Sequence, residues 1–132
     1  MDSISKTNIT VIVADTGEES GKALVRWIVH LVPDIEETCF KGVAFSELSP
    51  QNKGDVVISL DSIRHDDVII TDPNRIVDII RTKTNSIIPV IVVSVLGKSL
   101  PPIKPLERDK AVIVFDFEAL AQGIRQVLGL PQ

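Results

Sequence analysis

The first apolar run of the chain, Asn8 to Ala14 ("NITVIVA"), leads into Asp15, with Glu18 and Glu19 close behind. Carboxylates gathered at a strand end are hard oxygen donors, and this arrangement suggests a site for a cation. The same stretch holds Gly17, Gly21 and Lys22, which raises nucleotide chemistry as an alternative. A phosphate-binding loop G-x-x-x-x-G-K-[ST] wraps phosphates in successive backbone N–H groups, reaches them with its lysine and holds the metal with its hydroxyl. Here the two glycines are one residue too close, Ala23 stands where the hydroxyl belongs, and the two glutamates would repel a polyphosphate. The Gly-Lys pair is therefore read as incidental. Asp72, followed by Pro73, and Ser94 also stand at the ends of apolar runs. An Asp-Pro pair is equally a standard helix start, the carboxylate capping free N–H groups and the proline fitting the first turn.

Strands and helices that alternate along the chain must position these residues. "NITVIVA" reads as a buried strand, and Ala23, Leu24, Trp27, Ile28, Leu31 and Val32 recur at helical spacing up to Pro33. "TCFKGVAF" (Thr38 to Phe45) is a second, weaker strand. "DVVISLDSIRH" (Asp55 to His65) is β-branched enough for a strand, yet Val56, Val57, Leu60 and Ile63 also form a helical stripe. A helix is expected there, because parallel strands need a crossover element. "DDVIITDP" (Asp66 to Pro73) is then the third strand, followed by a helix with Ile76, Val77, Ile79 and Ile80 on its apolar face. "SIIPVIVVSV" (Ser86 to Val95) is the fourth, "AVIVFDF" (Ala111 to Phe117) the fifth, and Leu120, Ala121, Ile124, Val127 and Leu128 mark a closing helix. Between strands four and five, Pro101, Pro102 and Pro105 predict an irregular crossover rather than a helix.

This pattern predicts an α/β fold, a five-stranded, doubly wound parallel sheet of the flavodoxin-like kind. A length of 132 residues suits a single domain, with residues 1–7 and 130–132 as tails. Ligands in such sheets sit outside the carboxyl ends of the strands, the edge where Asp15, Asp72 and Ser94 are expected. A net charge of −4 and a pI near 5.1 argue against nucleic acid or an anionic membrane as partner. Four Phe, one Trp and no Tyr leave little for a base-stacking surface. Cys39 is alone, which excludes an internal disulfide and suits a cytoplasmic protein. No apolar run is long enough to span a membrane, and the first ten residues do not read as a secretion signal.

Taken together, "VIVADTGEESGKALVRWI", "GDVVISLDSIRHDDVIITD", "IPVIVVSV" and "VIVFDFEALAQGIRQVL" resemble the response-regulator receiver domain, the phospho-acceptor module of two-component signalling. The resemblance covers nearly the whole chain. It implies Asp72 as the phospho-acceptor, Asp15 and Asp72 as ligands of Mg²⁺, and Ser94 as the switch hydroxyl that meets the phosphoryl group. It also implies a protein partner, such as a histidine kinase or another domain of a signalling protein, and is compatible with a homodimer.

Several positions depart from the family pattern. Thr16 stands where a second acid belongs, no lysine occurs from Ala111 to the end of the chain, and Asp116 or Glu118 lies near that lysine's place. The proline segment replaces the fourth helix. These departures favour a pseudo-receiver, a non-enzymatic regulatory domain that acts by protein contact without a phosphorylation cycle. Its partner surface is expected over Gly97 to Asp109 and the closing helix, with Leu100, Ile103 and Leu106 as apolar contacts. The alternatives are a working receiver phosphorylated on Asp72, and a small α/β ligand-binding or enzyme domain. The plainer readings stand beside these: Asp72 as a helix cap, Asp15 as a turn residue, Ser94 as a small buried residue, Cys39 as core, and His30 and His65 as solvated histidines.

Overall fold

Alternate residues of a strand point to opposite faces, and the four inner strands of the main sheet divide their apolar residues between two cores in that way. In the computed structural model, which describes residues 8–13, 18–33, 35–94 and 101–130, the strands are β1 (Ile9–Val13), β2 (Phe40–Ala44), β3 (Val56–Leu60), β4 (Ile63–His65), β5 (Val68–Ile70), β6 (Val90–Val93), β7 (Ile103–Pro105) and β8 (Ala111–Val114). The helices are α1 (Glu18–Leu31), α2 (Pro73–Thr84) and α3 (Leu120–Leu128). Ile9, Val11, Val56, Ile58, Ile91, Val93, Val112 and Val114 meet Ile28 and Val32 of α1 and Leu120, Ile124 and Val127 of α3. On the opposite face Ile12, Val57, Val90, Val92 and Ile113 meet Ile76, Val77 and Ile80 of α2, together with Phe45, Leu48, Ile63 and Ile70. The sheet is covered on both sides, as near-continuous Val/Ile strands require.

The main sheet has six strands in the order β2-β1-β3-β6-β8-β7. The first five run parallel, and β7 pairs antiparallel with β8. Two buried hydroxyls are satisfied within this frame: Thr10 Oγ1 donates to the Asn52 carbonyl at 3.1 Å and Ser59 Oγ to that of Leu60 at 2.9 Å.

Three expectations are corrected. The sheet has six strands rather than five. Residues 55–65 are not a crossover helix: Val56–Leu60 is the central parallel strand β3, fully buried up to Leu60, and Ile63–His65 starts a hairpin. The crossover from β2 to β3 instead uses residues 45–55, with a short 3₁₀ turn at Phe45–Glu47 whose Phe45 and Leu48 fill the core place of a helix. Finally, the run at Asp66 to Pro73 does not form the third strand of the sheet. Val68–Ile70 pairs only with β4, across a two-residue turn at Asp66 and Asp67. Both turn residues are left-handed (φ 52° and 63°), as the tight hairpin turn that matches strand twist requires.

The α1 stripe is narrower than its spacing predicts, since Trp27 is 48% exposed while Ile28 and Val32 are buried. α1 stops before Pro33. α2 begins at Asp72–Pro73 and ends on Asn85 in the left-handed region, with Arg81 and Lys83 in its last turn, where cations favour the helix dipole. The crossover between β6 and β8 contains no helix over its described part, residues 101–110, and carries the short strand β7.

Candidate functional site at the carboxyl edge of the sheet

The chain leaves β1 for β2 on one side and crosses back to β3 on the other, so the winding direction reverses between β1 and β3. The crevice outside the strand ends at such a reversal is the usual ligand position in open α/β sheets. The ladder fixes which residues follow the strand ends from β3 onward. Leu60 stands opposite Val93, and Val93 opposite Val114. Asp61, Ser94 and Phe115 therefore emerge in one row beyond β3, β6 and β8, with Asp116 next in the chain. Asp61 and Ser94 are half-buried, and the Ser94 amide donates to the Val114 carbonyl at 2.9 Å, which carries the pairing one residue past the strand end. Asp116 is exposed and committed to its own turn. Its Oδ1 accepts from the Glu118 amide at 2.9 Å, and its carbonyl accepts from that of Ala119.

Ser94 is thus where the sequence predicts, at the end of a parallel strand. Asp72 is not part of this row. It follows the β4–β5 hairpin and caps α2: its Oδ1 accepts from the Asn74 amide at 3.1 Å and its carbonyl from that of Ile76 at 2.9 Å. The acid that does occupy the end of the central strand is Asp61, which sequence reasoning passed over. The signal for it was present in the β-branched density of "VVISLD". Asp15, Thr16 and Leu100 lie outside the described residues. Ile103 is half-buried against the core under α1 and α3, and Leu106 against the core under α2, so both are engaged in the domain's own packing.

A carboxylate beside a hydroxyl can coordinate a hard cation or accept an electrophilic group, the hydroxyl supplying a hydrogen bond. Mg²⁺ takes oxygen ligands in near-octahedral geometry and is usually held by one or two carboxylates with waters. Among the described residues no group of three or more His, Cys, Asp or Glu converges. Asp61 is the carboxylate next to Ser94 in the row, and Asp15, the other acid expected at this edge, lies outside the described residues.

Cys39 and His65 are engaged in packing. Burial pushes the Cys39 thiol above its ordinary range, and Glu36 adds to this, which disfavours the nucleophilic thiolate. His65 packs edge-on against Phe45, with ring centroids 5.7 Å apart, while Lys83 Nζ lies 4.8 Å from the same ring. His65 Nε2 is 3.5 Å from Asp66. His30 is exposed on the last turn of α1.

No protein-family model, curated protein or solved structure matches the chain. No helix among the described residues is long and apolar enough to cross a membrane.

Proposed function

We propose that the chain is a receiver-like regulatory domain of a cytoplasmic signalling protein, acting through contacts with a protein partner and without a phosphorylation cycle. The order of its five parallel strands supports this. Numbered among themselves they run 2-1-3-4-5, the flavodoxin-like doubly wound order, with α1 and α3 on one face and α2 on the other. The observation that carries the reading is the composition of the row at the carboxyl edge: Asp61, then Ser94, then Phe115–Asp116. The resemblance implies acid, hydroxyl and lysine at those three strand ends. Here the lysine's neighbourhood holds Asp116, whose negative charge opposes an incoming phosphoryl group rather than neutralising it. The helix that the resemblance implies between strands two and three is replaced by residues 45–55, and the described part of the crossover between four and five, residues 101–110, bears β7 and no helix. The face that a receiver presents for output is altered accordingly.

A second reading, a working receiver, is favoured by the placement of Asp61 and Ser94 each one residue beyond the paired Leu60 and Val93. It moves the acceptor from Asp72, which serves as a helix cap, to Asp61. The two readings separate by amide NMR with Mg²⁺ and beryllofluoride, a phosphoryl mimic. The regulatory domain without a phosphorylation cycle should show no change at the amides of Asp61 and Ser94. Shifts centred on those residues that vanish in Asp61→Asn would establish the working receiver instead.

A further inference from the structure

The loop between β7 and β8 is fastened along a single stripe of α2. Asn74, Asp78 and Arg81 are spaced i, i+4, i+7 and share one face of the helix. Asn74 Oδ1 accepts from the Glu107 amide at 3.0 Å, and the Asp78 carboxylate accepts from Arg108 Nε at 2.7 Å and from Nη2 at 2.8 Å. Arg81 Nη2 donates to the Asp109 carbonyl while its Nε donates to that of Ile88 at 3.1 Å. Leu106 adds an apolar anchor, half-buried against the core under α2, and its amide donates to the Ala111 carbonyl at 2.9 Å.

We propose that residues 106–109 form a latch that opens from α2 as a unit, hinged at Lys110, whose carbonyl accepts from the Val90 amide at 3.1 Å, and is held shut by the Asp78–Arg108 pair. Each fastening is individually modest. The pair is about half exposed, at 48% for Asp78 and 40% for Arg108, so water and salt screen it. The neutral hydrogen bonds exchange against water on opening. β7, which leads into the latch, is only three residues long, and its ladder is thinned by proline. Pro102 accepts from the Phe115 amide at 2.7 Å but has no N–H to return, and Pro105 likewise has no donor. A segment with few buried apolar contacts and an exposed polar attachment belongs to the low end of local stability. Closed, the latch engages the polar groups of the 74/78/81 stripe. Open, it bares an amide, a carboxylate and a guanidinium in line on α2 and releases Leu106 from its seat, so the contact surface on this side differs between the two states.

The latch does not depend on the receiver reading, and native-state amide hydrogen exchange on the full chain tests it directly. In the unmodified protein, raising salt from about 0.1 M to about 1 M shortens the screening length roughly threefold. The Glu107 amide, bonded to Asn74 on α2, should then exchange faster, by about two- to fivefold, the range of an exposed ion pair. The Val57 amide, bonded to Pro89 in the central sheet, should not follow. Arg108→Ala should reproduce the acceleration at low salt and abolish the salt dependence, and Asp78→Asn should match it without adding to it in the double variant. Exchange at Glu107 that ignores salt in the unmodified protein would overturn the proposal. So would acceleration by the same factor at Val57, since the loop would then open only by global unfolding.

Discussion

Arg108 and Asp78 are joined by two parallel N–H···O bonds, from Nε at 2.7 Å and Nη2 at 2.8 Å, across thirty residues of sequence. This fork geometry is the strong form of a surface ion pair. The hydrogen bond from Arg108 is the main reason that the Asp78 carboxyl is held below its ordinary value of 3.8; the charges of Arg108 and Arg81 act in the same direction and burial against it. A carboxyl depressed on folding contributes stability that is fully present above its ordinary value and is lost as pH falls through the depressed one. Asp78→Asn should therefore cost under about 1 kcal/mol at neutral pH. Thermal unfolding of the variant and the unmodified protein should converge as pH drops below the ordinary value. A difference that persists undiminished in acid would assign the effect to packing instead.

The two acids that compete for the acceptor role should differ in what they do for stability. Asp72→Ala removes the side-chain acceptor of the Asn74 amide at the start of α2, a loss of about 0.5–2 kcal/mol for a helix cap. Asp61→Asn removes a half-buried charge beyond a strand end and caps no helix, so stability should stay within about 0.5 kcal/mol. Urea midpoints at constant slope measure both. A larger loss in Asp61→Asn than in Asp72→Ala would show that Asp61 is the structural acid of the two.

The buried strands around Val11, Ile91 and Ile113 and the helix starting at Asp72–Pro73 were legible because their signals are local: β-branched runs bounded by turns, and capping chemistry. The passage from Asp55 to Pro73 was not. Its first half has β-branched density, but the need for a crossover element argued for a helix there and moved the third strand to Val68–Ile70. The competing solution was invisible locally, since Phe45 and Leu48 fill a helix's place from a 3₁₀ turn, and Asp66–Asp67 closes a hairpin without glycine. Misplacing that strand also displaced the site, because Asp61 and Asp72 each follow an apolar run and only the ladder from Leu60 to Val93 tells them apart. The ties from α2 to residues 107–109 join positions about thirty apart, which no spacing rule relates.

Gly54 sits where β3 starts beside β1. Its φ is +66°, and a Cβ built on it would lie 2.8 Å from the Asn8 carbonyl oxygen and 2.8 Å from Thr10 Oγ1. The next amide, that of Asp55, donates to the same Asn8 carbonyl at 2.7 Å, and the Asn8 amide donates back to Asp55 Oδ2 at 2.8 Å. Backbone cannot yield there without opening this reciprocal pair. Gly54→Ala should therefore cost at least about 1–3 kcal/mol, the scale of a strained left-handed residue, seen as a lower urea midpoint with unchanged slope. An unaffected midpoint would mean that the approach of Asn8 to Gly54 is looser in solution.

The hairpin turn offers the opposite test, a gain. Asp66 and Asp67 are both left-handed, at φ 52° and 63°, and His65 is paired with Val68 across them. Asp tolerates this region better than most side chains, but glycine does so without steric cost, and Asp-Gly is a preferred pair for this turn. Asp67→Gly leaves Asp66 beside His65 and should stabilise the protein by about 0.5–1 kcal/mol, the net of relieved strain and the added freedom of the unfolded chain. Asp67→Val places a β-branched side chain in the left-handed region and should lose at least about 1 kcal/mol. Thermal midpoints should thus rank Gly above Asp above Val at position 67. If Gly and Val fall together, the turn is not held left-handed in solution, and the placement of Val68 and Ile69 as an exposed hairpin arm fails with it.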